Sequence, residues 1–451
     1  MKTKLFTLLT CLFFISTYGQ INHTIDDNSI EVHSVWAADI NDDGYMDVLS
    51  ASWESDEVAW YKNTDGQGIV WEKNIIAAQT MAYHVITADF DNDGDLDVAY
   101  TAFEDDTVAW GENDGTGNFT LHIITDQADG VHEVFPADFN GDGYIDILSS
   151  WYDGKTLAWY ENDGLGNFME HIIPAGDEYF GVIYAADLDG DGDMDAISGS
   201  GVIDPATDEG KVVWYENTDG LGTFVAQPPI FTGPNNIWAV SASDLDGDGD
   251  QDLVASIIGA TYLVWYENTD GLGNFVEVVQ IPTPYWLMWI HPVDIEKDGD
   301  MDILCAEYGG LGFITWYEND GNGNFTKQFV TSGAEGAMSA FAADINNDDD
   351  LDVVSGWSEA DKVVWTEGPF VGIEENMLSD FSVYPNPTTG ILTIQSDFII
   401  VEIELFNQLG QLVLSNSNTS TIDISEISQG LYFCKIKDEN GNTSTKKIIK
   451  K

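Results

Sequence analysis

The sequence predicts an all-β chain whose main body is a seven-bladed β-propeller, with a separate C-terminal module behind it. Three observations carry this. An acidic nine-residue loop is written seven times, starting at Asp39, Asp89, Asp138, Asp187, Asp244, Asp294 and Asp344, at intervals of 50, 49, 49, 57, 50 and 50 residues. A second motif, Trp159-Tyr160-Glu161-Asn162-Asp163-Gly164-Leu165-Gly166-Asn167-Phe168, recurs in phase from Trp60, Trp110, Trp214, Trp265 and Trp316, and is truncated at Trp365. Short alternating apolar runs fill the space between, and a period near fifty residues with four strands per period is that of a propeller blade.

In chain order, residues 1–19 have the form of a Sec signal peptide: Lys2 and Lys4, an apolar run from Leu5 to Ile15, and small residues ending near Gly19. Residues 20–368 are the propeller, 369–378 a linker and 379–451 the C-terminal domain. The first unit resolves into strands near 32–38, 46–52, 57–62 and 71–77, the first lining the channel and the acidic loop joining it to the second. The last unit stops at Trp365-Thr366-Glu367 without a fourth strand, whereas Ile21–Ile25 resembles the fourth strands His122-Ile123-Ile124 and His171-Ile172-Ile173. The N-terminal strand is therefore expected to complete the last blade, which removes an open sheet edge.

Positions one, three, five and nine of each loop carry oxygen. They are Asp39, Asn41, Asp43 and Asp47; Asp89, Asp91, Asp93 and Asp97; Asp138, Asn140, Asp142 and Asp146; Asp187, Asp189, Asp191 and Asp195; Asp244, Asp246, Asp248 and Asp252; Asp294, Glu296, Asp298 and Asp302; Asp344, Asn346, Asp348 and Asp352. Hard divalent cations take six to eight oxygens, and a tight turn pointing alternate side chains inward supplies them. Position seven varies between Tyr and Asp, as expected of a residue offering its backbone carbonyl. Glycine at position six gives the positive φ of a sharp turn. Asp, Asn and Gly also make ordinary polar turns, but packing several carboxylates into nine residues is repulsive without a cation. Calcium, up to seven ions in a structural role, suits such crowded cages better than magnesium. The opening resembles an EF-hand, yet Ser50 stands where an EF-hand has Glu and the flanks are strands. The sixth loop, with Glu296 and Lys297, and the seventh, with Asp349 in the glycine position, depart from the pattern.

The recurring Trp and Phe are expected to pack between blades. Six residues before each loop come His33, Tyr83, His132, Gly181, Trp238, Met288 and Met338. They should ring one mouth of the channel, opposite the acidic loops. Connections on that face hold Trp53, Phe103, Trp151, Tyr152, Tyr308 and Trp357 among carboxylates. Aromatic faces beside carboxylates suit sugars, so His33, Tyr83, His132, Trp238, Trp286 and Trp289 are the candidate ligand residues. The insertion 201–210 and the cluster Tyr285-Trp286-Leu287-Met288-Trp289 break the repeat. His33, His84, His132 and His291 lie in inner strands but not at one repeat position, so a transition-metal site requires a convergence that spacing does not show.

The repeated loop between two strands resembles the FG-GAP or VCBS-type repeats, over about residues 21–368. The resemblance implies the seven-bladed, calcium-loaded propeller of integrin alpha subunits and many bacterial secreted proteins, with metal held by the loop carboxylates and amides. Val383-Tyr384-Pro385-Asn386-Pro387, Gly390-Ile391-Leu392-Thr393-Ile394, Gly430-Leu431-Tyr432-Phe433 and the terminal Lys446–Lys451 are similar to the C-terminal sorting domain of type IX secretion substrates in Bacteroidota. That implies a small β-sandwich, contact with the type IX machinery, and a protein secreted or attached at the outer surface.

The formal net charge is −64 with no Arg, which excludes nucleic acid and acidic membranes as partners. Beyond the signal no stretch is apolar enough to span a membrane. Cys305 and Cys434 fall in different domains, so no disulfide framework is indicated. No nucleophile elbow, zinc motif or phosphate loop is present. The expectation is a monomeric, non-enzymatic binding or adhesion module for a glycan or cell-surface protein. The alternative is a propeller-based polysaccharide lyase or hydrolase, since carboxylates abound but no pair is singled out.

Overall fold

The structure is a computed structural model. It describes residues 21–370 and 382–451 apart from 177, 202–208, 260–261, 284, 322, 385, 389, 397–399, 408–411, 418, 426 and 439–442. The predicted signal peptide and most of the 201–210 insertion lie outside the described residues. The chain divides into two compact units, up to residue 371 and from residue 372.

The first unit is seven antiparallel sheets of the same plan, strands following one another from the channel outward. Blade one is Val32–Ala38, Asp47–Ser52, Glu57–Asn63 and Trp71–Ala78. Blade seven is Ala337–Ala343, Asp352–Trp357 and Lys362–Thr366, completed by Asn22–Asp26 pairing antiparallel with Lys362–Thr366. The expected closure by the N-terminal strand is thus present. Blade four departs from the plan: its outer strand is split into Phe224–Ala226 and Phe231–Gly233, both pairing with Gly210–Asn217. Pro228 and Pro229 lie at the break, where two residues without N–H cannot continue a ladder.

Second strands are buried along their whole length, as in Asp47–Ser52 and Asp352–Trp357, because each is covered by neighbouring blades on both faces. Small and β-branched residues fit that sandwiching. Two devices join one blade to the next. Third-strand Trp residues pack on a turn glycine of the following blade: Trp60 on Gly117, Trp110 on Gly166 and Trp159 on Gly222, each glycine at positive φ and with no room for a Cβ. The motif's Asn reaches backward. Asn113 Nδ2 donates to Ile40 O of blade one at 2.7 Å, and Asn162 to Phe90 O of blade two at 2.7 Å. Asn63 closes the ring by donating to Ile345 O of blade seven at 2.9 Å.

The second unit has a three-stranded sheet, built on Ser382–Tyr384, Ile391–Gln395 and Thr421–Asp423, and a four-stranded one containing Ile400–Asn407, Leu412–Ser417, Gly430–Asp438 and Thr443–Lys450. Leu392 and Ile422 from the first meet Ile403, Cys434 and Ile436 from the second in one core, a β-sandwich. Cys305 and Cys434 are both buried free thiols.

Candidate cation loops and channel mouth

Each acidic loop is pre-shaped by its own carboxylates. Asp89 accepts the N–H of Asp93 at 3.2 Å and of Gly94 at 3.0 Å, and Asp93 accepts that of Asp95 at 3.0 Å. The ninth residue is a staple as well as an oxygen donor. Asp97 takes the N–H of Asn113 on Oδ1 at 2.8 Å and of Phe90 on Oδ2 at 2.9 Å, tying the loop to the third strand. Sequence spacing had shown the oxygens but not this staple, nor that position four also sits at positive φ. There Asp42 has φ 52°, Asn92 61° and Lys297 59°. Asp349, in place of glycine, takes up φ 70°.

In loops two, four, five and six three carboxylate oxygens lie within 4.8 Å of one another: Asp89, Asp91 and Asp97; Asp187, Asp189 and Asp195; Asp244, Asp246 and Asp248; Asp294, Glu296 and Asp302. Burial, with neighbouring carboxylates behind it, raises the ninth residue: Asp97 and Asp195 are pushed up to about 7, and Asp302, beside Glu296, is held well above the usual carboxylate range. Both carboxylate oxygens of Glu296 are buried, against Asp302. Converging, desolvated carboxylate oxygens that resist carrying charge on their own fit a hard divalent cation, which would favour their ionised form. Asn41, Asn140 and Asn346 supply amide oxygen at position three of the other loops.

Loop one differs. Its blade has Lys62 where blades two to six have Glu112, Glu161, Glu216, Glu267 and Glu318. The Lys62 Nζ lies 3.1 Å from Asn41 Oδ1 and 3.1 Å from Asp43 Oδ2. A positive charge of the chain's own thus stands among the candidate ligands of that loop.

At the other end, every inner strand carries a β-bulge at the same place, for example between Val32 and Ser34, Ala82 and His84, and Leu287 and Trp289. A bulge turns one extra side chain out of the pleat. The side chains it turns are those of the predicted ring, and His33, Tyr83, His132, Trp238, Met288 and Met338 line one narrow cavity of ≈ 40 Å³ together with Gly181. Rings touch in a run along half of the mouth: Trp53 stacks on His33 at 5.0 Å, His33 meets Tyr83 tilted at 59° and 4.9 Å, Tyr83 stacks on His132 at 4.4 Å and His132 on Tyr152 at 4.8 Å. Burial keeps the imidazoles neutral, lowering His33 to about 4 and His132 to about 3.

Some candidates fall elsewhere. Trp289 lines the cavity, but Trp286, two residues from the bulge, does not; it is 49% exposed and stacks on Tyr308. Trp151 and Trp357 are core residues rather than mouth residues. Among the described residues no group of three potential metal ligands includes a histidine.

Below the mouth the channel widens to ≈ 200 Å³, lined by Trp36, Phe135, Tyr184, Trp238 and Trp289 with His84, Glu133 and His291. No repeat position singles out Glu133, which follows the ring residue His132 inside a two-residue bulge between Val131 and Val134.

Comparison with known proteins agrees with this architecture. Residues 39–100, 90–149, 146–198, 202–255, 244–305 and 297–355 match the model of the FG-GAP-like repeat. Residues 382–451 match that of the secretion system C-terminal sorting domain. No curated protein matches. Among solved structures, BBS1N in complex with ARL6DN, soaked with lead, is similar at TM-score 0.55 and 8% identity, over 77% of this chain and 96% of that one. The mercury-soaked form of the same complex gives 0.54 and 9%, with the same coverage. These likenesses show the fold alone. No helix among the described residues is long and apolar enough to cross a membrane.

Proposed function

Since the chain belongs to the FG-GAP-like repeat family and ends in a type IX sorting domain that marks it for export, we propose that it is a calcium-stabilised binding module displayed outside the cell, with a glycan as its ligand. The observation that carries this is the continuous run of ring contacts from Trp53 to Tyr152 at the mouth. The exposed Glu54, Glu104 and Asp153 stand nearby in sequence on the connections of that face. Ring faces stack on sugar C–H surfaces and carboxylates accept sugar hydroxyls. The cavity inside the ring is too narrow for a polymer to thread, so a chain would lie across it. Calcium is held by the loop carboxylates and amides of blades two to seven, where it neutralises charge and locks adjacent strands; in blade one Lys62 supplies that positive charge.

A glycan array with the mature protein tests the ligand. W53A and Y152A should each weaken a bound glycan about fivefold, roughly 1 kcal/mol per lost stack. No bound glycan, or binding indifferent to both changes, removes the proposal. A lyase or hydrolase is the second reading, favoured by neutral His33 and His132 flanking Tyr83. Release of oligosaccharide products from a bound glycan, abolished in H132N, would establish it in place of the first.

A further inference from the structure

We propose that the channel beneath the mouth binds a small hydroxylated organic cation of the choline type, held in a cage of aromatic faces with Glu133 as its counter-charge. The site lies below the stacked rings of the mouth and shares Trp238 and Trp289 with the mouth cavity, and the inference does not rest on the glycan assignment.

The cavity measures ≈ 200 Å³, more than ten times the ~15 Å³ that one water needs by the same measure. Its walls choose among ligands. Trp36, Phe135, Tyr184, Trp238 and Trp289 present π-faces or edges from five blades, and three of them pack in ring pairs: Trp36 with Phe341 at 4.1 Å and Phe135 with Tyr184 at 4.6 Å. Such walls favour apolar groups and, through the ring quadrupole, cations. A sugar would need several free polar partners, and these are scarce. The Thr87 hydroxyl already accepts from Trp36 Nε1 at 3.0 Å.

One carboxylate faces this space. Glu133 Oε2 accepts the N–H of Ile183 at 2.9 Å, and no Lys or His among the described residues lies within ion-pair distance of it. Burial pushes its pKa up to about 8, so a carboxylate charge here is strained until a cation arrives. A simple metal ion would lack a ligand set, because among the described residues no group of three potential metal ligands includes Glu133 or a histidine. A diffuse organic cation needs none: aromatic faces and one carboxylate suffice.

Two further groups want a partner. His84 is 4% exposed and its Nδ1 has no hydrogen-bond partner, and Trp289 Nε1 is likewise buried and unpaired. The two rings lie 5.7 Å apart on the cavity wall. A hydroxyl on the cation can accept from the indole N–H and donate to the imidazole nitrogen. A net charge of −64 raises the local concentration of any cation offered.

The probe is choline chloride, titrated into the calcium-loaded mature protein with tryptophan fluorescence as readout. Tetramethylammonium tests the hydroxyl, and 3,3-dimethylbutan-1-ol is the neutral isostere of choline. Choline should give a saturable change, tetramethylammonium a weaker one, and the alcohol one at least tenfold weaker still. E133Q keeps the acceptor for Ile183 and should weaken choline at least tenfold; should that variant not fold, W238L is expected to weaken it at least fivefold. Binding of the neutral alcohol as tight as that of choline, choline binding unchanged in the folded variant, or no saturable response up to 100 mM choline (a ceiling set by weak cation–π sites) would overturn the proposal. None of these outcomes touches the glycan array, so the two readings fail separately.

Discussion

Single buried groups set how the propeller responds to pH and to loss of a contact. His84 is 4% exposed, and burial lowers its pKa from 6.5 to about 4. The unfolded chain therefore takes up a proton near 6.5 that the folded chain refuses until about 4. The stability this residue contributes is complete above 6.5 and is lost as pH falls through that window. Urea midpoints measured in saturating calcium should decline between pH 6.5 and 4.5. H84L should flatten the slope by up to one proton, about 1.4 kcal/mol per pH unit; an unaltered slope would mean the imidazole is charged in the fold. The Asn latch makes a second test. Besides Ile40 O, Asn113 Nδ2 donates to Leu96 O at 2.9 Å. N113A leaves two buried carbonyls without that donor and should cost about 2–4 kcal/mol, whereas N28A at an exposed turn should cost almost nothing. Gly368 stands in the corresponding place of blade seven, so the ring tolerates one missing latch but holds the other six.

Among elements, the loops divide by what balances their charge. D91A and D189A remove an oxygen from three-carboxylate clusters and should lower calcium stoichiometry by one ion per chain and melting by a few degrees. The matching control cannot be alanine at Asp42, because that residue sits at φ 52° and a Cβ-bearing residue without a local hydrogen bond is strained there. D42N keeps the left-handed turn and should change neither quantity. K62E exchanges the ammonium beside Asn41 and Asp43 for the acid found in the other blades. It should add one bound calcium by elemental analysis and make melting more sensitive to EDTA; an unchanged count would show that loop one already holds an ion beside Lys62. Much of this level was legible in sequence, since oxygen spacing and strand runs are local patterns. The first-blade strand bounds differ from expectation by a residue at most. The inner-strand bulges were not legible, for they express a register between two strands. Nor were the latches, whose acceptor lies 73 residues back for Asn113.

For the whole molecule the sevenfold period announced the ring, and the missing last strand announced how it closes. Channel contents were not legible, because Glu133, His84 and Trp289 come from different blades and only closure brings them together. Closure rests on five residues. Asn22–Asp26 supplies the fourth strand of blade seven, and its side chains also reach blade one. His23 stacks on Trp365 at 4.3 Å, while Asp26 takes Lys73 Nζ at 2.7 Å and Tyr61 Oη at 3.1 Å. Both partners belong to blade one, so this strand is a bolt across the seam as well as a sheet member. Burial and the neighbouring cation compete at Asp26, and the pKa ends below its ordinary value. Removing residues 21–26 exposes the edge of Lys362–Thr366 and unties the seam, though the Asn63 and Trp365 contacts across it remain. Loss of a five-residue ladder and one partly buried ion pair is on the order of 5 kcal/mol. For a unit this large that lowers melting by roughly 7 °C, and an uncovered edge invites pairing with another chain. Calorimetry and light scattering on the truncated protein in calcium check both effects. A monodisperse sample melting with the intact protein would show that the ring is closed by inter-blade packing alone.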